Sequence, residues 1–374
     1  MNFDDGDLPY LLRDEGNSTT PHPIYTSGVV EKFSPIDLSK IPEPGPRVDL
    51  VAGLLPQGHI ALLYGDGGQG KSYLGLILAS MVVLGKPFLG FQTKRTGVLY
   101  VDWELDQDEH GRRAYQVARG IGLNRPPENL YYLRAERPIK QLIGQLKVFI
   151  SENEIGLVIL DSFGAACDGD PELAKSVIPL LARLRSLQTT ILLMDHQSKL
   201  QEGQNYDNKT PFGSAYKYNL ARSVIQVKRI NGKPGQLNLL LKPTKFNLGL
   251  LGGSLPCRLL FQENFVSLEQ ADLLEDEVYW DQLPAEEKIR QSLTKDGPAT
   301  TKTLSDRTAI KCDTVTNTVG RMKKRGEVRE TGKEGHAPIY ELTNSTTKLS
   351  LKGSGVVEKR QPGDDTDLIE GGKE

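Results

Sequence analysis

The sequence predicts an α/β protein, with a mostly parallel sheet between helices and a small, separate domain after it. Short apolar runs alternate with helical segments through most of the chain, which is typical of parallel sheets covered on both faces. The 374 residues are enough for a large α/β core and a smaller domain. A glycine-rich loop joins the first of these apolar runs to a long apolar helix.

The elements follow one another in a regular order. The expected strands of the core are Ile60–Tyr64, Gly97–Glu104, Leu130–Leu133, Leu157–Asp161 and Thr190–His196, and then Ser223–Val227, Leu237–Leu241 and Cys257–Gln262, which turn antiparallel at the sheet edge. The expected helices are Tyr73–Leu84, Gln107–Gly120, Ile139–Asn153 and Pro171–Leu187, after a helix or turn at Val48–Leu55. We divide the chain into a flexible segment (1–47), the core (48–262), a linker (263–284), a C-terminal domain (285–343) and a disordered tail (344–374).

Composition restricts the class of protein. Charged residues make up 25% of the chain and the net charge is −2, so a claim of nucleic-acid binding must depend on local patches. Cys167, Cys257 and Cys312 are isolated and lack metal-ligand spacing, as expected of free thiols in a reducing compartment. No apolar segment approaches the ~18–20 residues that span a bilayer, and the acidic start is unlike a signal peptide. We therefore expect a cytoplasmic protein without a membrane partner.

The glycine-rich loop has the pattern G-x-x-x-x-G-K-S. Its glycines allow a tight fold in which several backbone N–H groups face one phosphate, and the helix that follows adds a partial positive charge. The lysine of such a loop reaches the β- and γ-phosphates, and the serine hydroxyl binds Mg²⁺. The predicted ATP-binding residues are Gly65, Asp66, Gly67, Gly68, Gln69, Gly70, Lys71, Ser72 and Tyr73. A glycine-rich turn with a chance lysine is the alternative.

Polar residues at the ends of three further strands suggest the rest of an ATP-hydrolysing site. Asp161 emerges at the carboxyl edge of the sheet, where ligands bind in open α/β sheets, and would hold Mg²⁺ with Ser72. Glu104 is the first candidate for activating water, with Asp102 and Asp106 as alternatives. Strand alternation would place Asp102 and Glu104 on the same side.

His196 ends a third apolar strand. A polar residue at this position can contact the γ-phosphate and respond to its loss, and Asp195 is a candidate for orienting it. The plainer interpretations are that His196 is structural, that Asp161 caps its strand, and that Glu104 is an exposed acid at a strand end.

These motifs resemble the RecA-fold ATPases of plasmids and phages, most closely the RepA-type hexameric replicative helicases and more distantly the DnaB group. The resemblance covers residues 48–262 and is carried by Gly65–Ser72, Asp102–Glu104, Leu157–Asp161, Asp195–Lys199 and Gly213–Ser214. It implies that Lys71 and Ser72 bind phosphate and Mg²⁺, that Glu104 activates water, that Asp161 is the second acid of the metal site and that His196 is the sensor.

The same resemblance implies a homo-oligomer, such as a hexameric ring, whose ATP sites lie between subunits. A basic residue of the neighbouring subunit then completes each site, and the candidates are Arg222, Lys245 and Arg229. Lys242-Pro243-Thr244-Lys245 stands where the DnaB group has a Lys-x-Arg pair, so the choice stays open.

Two loops would face single-stranded DNA in such a ring. These are residues 163–171 and 199–211, where Lys199 and Lys209 are the basic contacts. Nearby acids reduce the positive charge, unlike a strong phosphate-binding groove. The acids are Asp168, Asp170, Glu202 and Asp207.

The C-terminal domain is predicted to be a winged helix. Helices at Ala285–Leu293, Thr301–Thr308 and Cys312–Arg325 precede a hairpin within Glu327–Leu342. The third helix combines polar residues with a basic cluster, which suits recognition of duplex DNA. The cluster comprises Lys311, Arg321, Lys323, Lys324 and Arg325. A winged helix that binds protein is the alternative.

The sequence thus predicts an ATPase acting on DNA, with a helicase in the replication of a plasmid, phage or mobile element as the first hypothesis. A DNA-bound regulator of replication or transcription that does not unwind DNA is the second. A signalling or recombination ATPase that uses nucleotide as an assembly switch is the third.

Overall fold

The computed structural model describes residues 35–198, 210–213, 215–230, 232–249, 253–271, 277–281 and 283–343. The expected flexibility of residues 1–34, the disorder after 343 and the loop residues Lys199 and Lys209 lie outside this part. Residues 35–47 contain one turn of 3₁₀ helix, Leu38–Lys40, capped by Asp37, which accepts the N–H of Ser39 at 3.0 Å. In the part of the chain that the structure describes, no helix is both long and apolar enough to cross a membrane.

The region from Val48 onward contains alternating strands and helices. The strands are β1 (Asp49–Val51), β2 (Leu55–Pro56), β3 (Ile60–Gly65), β4 (Gly97–Asp102), β5 (Leu130–Arg134), β6 (Ile155–Asp161), β7 (Thr190–His196), β8 (Ser223–Ile230), β9 (Gln236–Phe246), β10 (Leu255–Phe261), β11 (Val266–Gln270), β12 (Ala299–Thr300), β13 (Val328–Glu334) and β14 (Ala337–Leu342). The helices are α1 (Lys71–Leu84), α2 (Gln107–Gly120), α3 (Ile143–Glu152), α4 (Phe163–Ala166), α5 (Ala174–Arg185), α6 (Ala215–Leu220), α7 (Glu277–Trp280), α8 (Ala285–Asp296), α9 (Thr301–Thr308) and α10 (Cys312–Lys324).

A nine-stranded sheet forms the centre, in the order β11-β10-β9-β8-β3-β7-β6-β4-β5. The strands from β8 to β5 in this order are parallel, and β9, β10 and β11 continue the sheet antiparallel. The predicted α/β class with a mostly parallel sheet is confirmed. The strand at Ser223 is still parallel to β3, so the antiparallel part begins one strand later along the chain than expected.

Apolar layers cover both faces of the sheet. On one face, α1 packs against the strands through residues such as Leu74 and Ile77, together with Val117 of α2. On the other face, α3 and α5 contribute residues such as Leu146 and Leu181. All six residues of β3 are buried, as expected for a parallel strand covered on both sides. These layers fix the strand ends at which the candidate site residues lie.

Some local expectations were wrong. Residues 48–55 contain most of a small hairpin in which β1 pairs with β2. The segment after Asp161, expected to be a long polar loop, begins as α4, with Phe163 and Ala166 buried. The helix expected from Pro171 begins at Ala174, and a 3₁₀ turn precedes α3.

The segment expected to be a linker contains β11 and α7. Tyr279 of α7 is fully buried, and its hydroxyl donates to the Cys257 carbonyl at 2.6 Å.

The C-terminal elements follow the predicted order of three helices and a hairpin. Helices α8, α9 and α10 enclose a small core that includes Ile289, Leu304 and Val315. The hairpin β13–β14 forms a three-stranded sheet with β12, in the order β12-β14-β13.

Candidate ATPase site

The glycine-rich loop connects the end of β3 to the start of α1. Gly68 and Gly70 have φ values of 70° and 75°, which favour glycine over other residues. A Cβ on Gly65 would lie 2.6 Å from the Val227 carbonyl oxygen, so the neighbouring strand leaves room only for glycine. No side chain caps the N-terminus of α1. Its first N–H groups and the helix dipole are therefore directed towards the place where a phosphate would bind.

Lys71, the first residue of α1, turns back into the loop. Its ammonium donates to the carbonyl oxygens of Gly65, at 3.0 Å, and Asp66, at 2.8 Å. The side chain is buried, and this burial lowers the pKa of the ammonium, while the charges of Asp161 and Glu104 oppose the effect. The loop thus holds a cation close to the carboxylates at the neighbouring strand ends.

Two other predicted nucleotide-binding residues, Gln69 and Tyr73, differ in the direction of their side chains. The Gln69 amide donates to Asp66 at 3.3 Å, within the loop. The side chain of Tyr73 points away from the loop: its hydroxyl donates to Gln116 at 3.0 Å, and its ring lies edge-on to Phe261. Any contact of Tyr73 with nucleotide would therefore use its backbone.

Asp161 lies at the carboxyl end of β6 and is 4% exposed. The Tyr100 hydroxyl on β4 donates to Asp161 Oδ2 at 2.7 Å, and the Ser72 hydroxyl is also hydrogen-bonded to this carboxylate. Burial raises the pKa of Asp161, and these two hydrogen bonds oppose the rise.

The Ser72 hydroxyl and the Asp161 carboxylate are hard oxygen donors, which fit Mg²⁺. The described residues contain no cluster of three or more His, Cys, Asp or Glu residues that could bind a metal. A metal site here would therefore have few protein ligands, as is usual for Mg²⁺ bound together with substrate phosphates.

The three acids after β4 have different environments. Asp102, 1% exposed, accepts the backbone N–H groups of Glu104 at 2.7 Å and Leu105 at 3.1 Å, and its other oxygen lies 3.3 Å from His110 Nδ1. Asp106 caps α2 by accepting the Glu109 N–H at 2.7 Å. The expected alternation of Asp102 and Glu104 was wrong, because the strand ends at Asp102 and a turn follows. Of these acids, Glu104 reaches the neighbouring strand ends.

Glu104 and His196 face each other across the end of β6. Glu104 Oε1 lies 3.6 Å from His196 Nε2, and both side chains are about half exposed. Interaction with His196 and a hydrogen bond to Ser162 outweigh burial and lower the pKa of Glu104 to about 2. The interaction with Glu104 raises the pKa of His196 against the opposing effect of burial. The structure thus brings Lys71, Asp161, Glu104 and His196 together.

Asp195 is occupied by contacts that the sequence did not indicate. It accepts the backbone N–H of His196 at 2.9 Å and forms an ion pair with Lys217 of α6. Asp195 and Lys217 are 1% and 0% exposed. Asp195 therefore fixes the backbone of His196, and its charge also helps to raise the pKa of the His196 ring. Lys217 lies shortly after the Gly213–Ser214 motif, but no sequence pattern connects it to Asp195.

The three candidate basic residues lie at different ends of the sheet. The N–H of Arg222 donates to the Ile60 carbonyl at 2.8 Å, which places this exposed residue at the start of β3, opposite the glycine-rich loop. Lys245 lies at the same end, and its ammonium donates to the carbonyls of Tyr218 and Asn219, both at 2.8 Å. Arg229 is exposed near the other end of β8. Arg222 and Lys245 therefore lie away from the glycine-rich loop of the same chain.

Backbone hydrogen bonds join the two ends of the loop after β7. Phe212 N–H donates to the His196 carbonyl at 2.8 Å, and Ser198 N–H donates to the Thr210 carbonyl at 2.9 Å. In the loop after β6, Asp168 forms an ion pair with Lys140. Lys140 thus offsets part of the negative charge of Asp168.

The sheet, the loop and the strand-end acids support an ATPase fold of the AAA/P-loop type. Residues 30–202 match the family model of an AAA domain, which implies nucleotide binding and supports ATPase activity. A search of curated proteins gave no match.

Proposed function

We propose that this protein hydrolyses ATP to act on DNA, as a helicase similar to the RepA type. The observation that carries the hydrolytic part is the Glu104–His196 pair, 3.6 Å apart and next to Lys71 and Asp161. A protein that only binds nucleotide needs the phosphate loop, but it does not need an ionised carboxylate in reach of an attacking water.

Each residue has a distinct part in the proposed reaction. The loop N–H groups and Lys71 hold the phosphates, and the ammonium compensates the charge that develops on the transferred group. Glu104 orients the water and accepts its proton. Mg²⁺, when held by Ser72 and by Asp161 through its waters, would neutralise phosphate charge. His196 contacts the γ-phosphate. Because His196 is paired with Glu104, loss of this phosphate changes the position of Glu104.

The proposed assembly is a homo-oligomer in which a neighbouring subunit completes each site. Arg222 is the preferred contributor, because it is exposed at the end of the sheet opposite its own phosphate loop. Lys245 is less suitable, since its ammonium already holds two carbonyls at the end of α6. Arg229 is less suitable, because it lies at the same end of the sheet as the phosphate loop of its own chain.

The proposed duplex contact is a winged helix in which α10 recognises DNA. One exposed stripe of this helix carries polar residues in its first half and basic residues in its second: Thr314, Asn317, Arg321 and Lys324. Two other members of the predicted basic cluster are paired with acids, Lys323 with Glu330 and Arg325 with both Glu286 and Glu327. Arg321 and Lys324 are therefore the cations best placed for phosphate.

A second candidate is a DNA-bound ATPase regulator that does not unwind DNA. It is favoured by the segment after Asp161, which begins with a buried helical turn and pairs Asp168 with Lys140. Residues 163–171 include no lysine or arginine, so this segment offers a single strand no positive charge of its own.

The test is the ATPase rate without DNA, with single strands and with duplex, while light scattering follows the mass of the protein with ATP. Stimulation by single strands and a ring-sized mass support the helicase. Hydrolysis indifferent to single strands, with duplex binding that depends on residues 285–343, supports the regulator. Lys71→Ala should abolish turnover and leave the fold intact; unchanged turnover would overturn the site assignment.

A further inference from the structure

Lys217 is a charged residue in an unusual environment. It is fully buried on α6, and its ammonium is paired with Asp195, which is also buried. The same ammonium lies 5.0 Å from the centre of the Phe163 ring and 6.0 Å from that of Phe212. It therefore contacts the segment that follows Asp161, the end of β7 and the base of the next loop.

Stability alone does not explain this pair. Removing two charges from water is costly, and a buried ion pair can often be replaced by apolar residues without loss of stability. Burial raises the pKa of the Asp195 carboxyl despite the nearby Lys217 ammonium, which indicates that desolvation is substantial here. A pair of this kind is better explained by the geometry that it imposes.

The contacts of Asp195 hold the backbone of His196 in place. One Asp195 oxygen accepts the His196 N–H at 2.9 Å, and the other is held by Lys217. Because each Asp195 oxygen has its own contact, the carboxylate cannot rotate without losing one of them. The carbonyl of His196 is also held, by the N–H of Phe212 at 2.8 Å. Both backbone polar groups of His196 are thus fixed, while its ring extends towards Glu104.

We propose that Lys217 is a positioning residue which, through Asp195, sets the distance between His196 and Glu104. The inference rests on the proposed ATPase function and assigns Lys217 no contact with nucleotide. Lys217 also belongs to the helix whose last carbonyls hold Lys245 and which ends next to Arg222. The same helix therefore connects the sensor of one site to the residue proposed to complete a neighbouring one.

The first test is a cycle of Lys217→Met, His196→Ala and the double variant. If Lys217 acts through His196, Lys217→Met should lower kcat about 10- to 100-fold, the range expected when a site group moves by about 1 Å. The KM for ATP should rise no more than it does in His196→Ala, because Lys217 acts on the nucleotide only through His196. In the His196→Ala background, Lys217→Met should change kcat less than about twofold.

A purely structural role predicts a different result. A similar fall in kcat in both backgrounds, or a wild-type kcat for Lys217→Met, would overturn the proposal. Lys140→Met is the matched control, since it removes a more exposed ion pair with Asp168 and should leave kcat unchanged. The melting temperature of each variant shows whether it is folded.

Asp195→Asn combined with Lys217→Met covers the case in which Lys217→Met does not fold. It removes both buried charges and retains an oxygen for the His196 N–H. We expect this double variant to fold and to have a kcat at least about tenfold below that of the wild type, because nothing anchors the new amide side chain. Recovery of the wild-type kcat would refute a positioning role.

The ratio of ATP to ADP affinity, measured with fluorescent nucleotides, is independent of turnover. Lys217→Met should reduce this ratio to that of His196→Ala, whereas an unchanged ratio counts against the inference. A wild-type protein that binds but does not hydrolyse ATP would refute the proposed function, and the ratio would still decide the role of Lys217.

Discussion

The Tyr100 hydroxyl on β4 donates a hydrogen bond to Asp161 on the adjacent strand β6, at 2.7 Å. This contact links a core side chain to the proposed metal site. Since the hydroxyl is buried, water cannot readily replace it, and it keeps one carboxylate oxygen in a fixed direction.

Tyr100→Phe should weaken the dependence on Mg²⁺ more than nucleotide binding itself. Without the hydroxyl, Asp161 loses a hydrogen bond that opposes the rise in its pKa, and its carboxylate is less well oriented. Half-maximal hydrolysis should need about tenfold more Mg²⁺, the lower range for losing an outer-shell partner. Titration of the ATPase rate with Mg²⁺ measures this. An unchanged Mg²⁺ requirement would show that the contact is only structural.

Asp102 and Asp106 allow a matched comparison. Asp102→Ala should lower kcat strongly, because the N–H groups of Glu104 and Leu105 lose their shared acceptor and the turn no longer holds Glu104. Asp102→Asn, which retains an oxygen, should preserve most of the rate. Asp106→Ala should cost about 1 kcal/mol of stability, as for loss of a helix cap, with kcat unchanged. Equal kcat values for the two alanine variants would contradict this interpretation.

The Glu104–His196 pair should make stability depend on pH. The pKa of Glu104 falls from 4.5 to about 2, so this carboxylate stabilises the fold above pH 4.5 and loses its effect as the pH falls towards 2. The pKa of His196 is raised above 6.5, so its contribution is complete below pH 6.5 and is lost as the pH rises through the higher, folded value. The two shifts describe one interaction.

The difference in melting temperature between wild type and Glu104→Gln should therefore be largest between about pH 4.5 and 6.5 and should shrink at alkaline pH. His196→Gln should remove the same dependence. A difference that is constant across this range would show that the pair is not formed in solution.

Mixing of variants tests the proposed site between subunits. Arg222→Ala should abolish hydrolysis while ATP still binds, since a basic group that stabilises the transferred phosphate is worth about 10³–10⁵ in rate. Lys245→Ala should mainly destabilise the end of α6. Inactive Lys71→Ala and Arg222→Ala proteins should regain part of the activity when mixed, because some interfaces then have both residues. A mixture without activity would place Arg222 outside the site.

The proposed recognition of duplex DNA by α10 predicts a selective effect of salt. Arg321→Ala and Lys324→Ala should each weaken duplex binding and lower the slope of log affinity against log salt by about 1. Lys302→Ala, which removes an exposed cation from α9, is the control. Equal effects of all three variants would indicate general electrostatic attraction instead of a contact by α10.

The sequence predicted the strands with continuous apolar runs, because burial on both faces leaves a strong signal. It did not predict β11, a strand at the sheet edge in which only Val266 is buried. Lys71, Asp161, Glu104 and His196 could be proposed from their positions at strand ends. The choice among the acids after β4 required the turn that follows Asp102. Lys217 could not be inferred, since its partner is 22 residues away in the sequence and no local pattern links them.

The order of the strands also has a consequence for synthesis of the chain. Both neighbours of β3 in the sheet, β7 and β8, come more than a hundred residues later. While a ribosome is still making the intervening residues, β3 has two unpaired edges and an apolar surface on each face. A nascent chain that ends before Thr190 should therefore bind a chaperone that recognises exposed apolar segments. A chain extended past Ile230 should release it, which pull-down of stalled chains of both lengths would show.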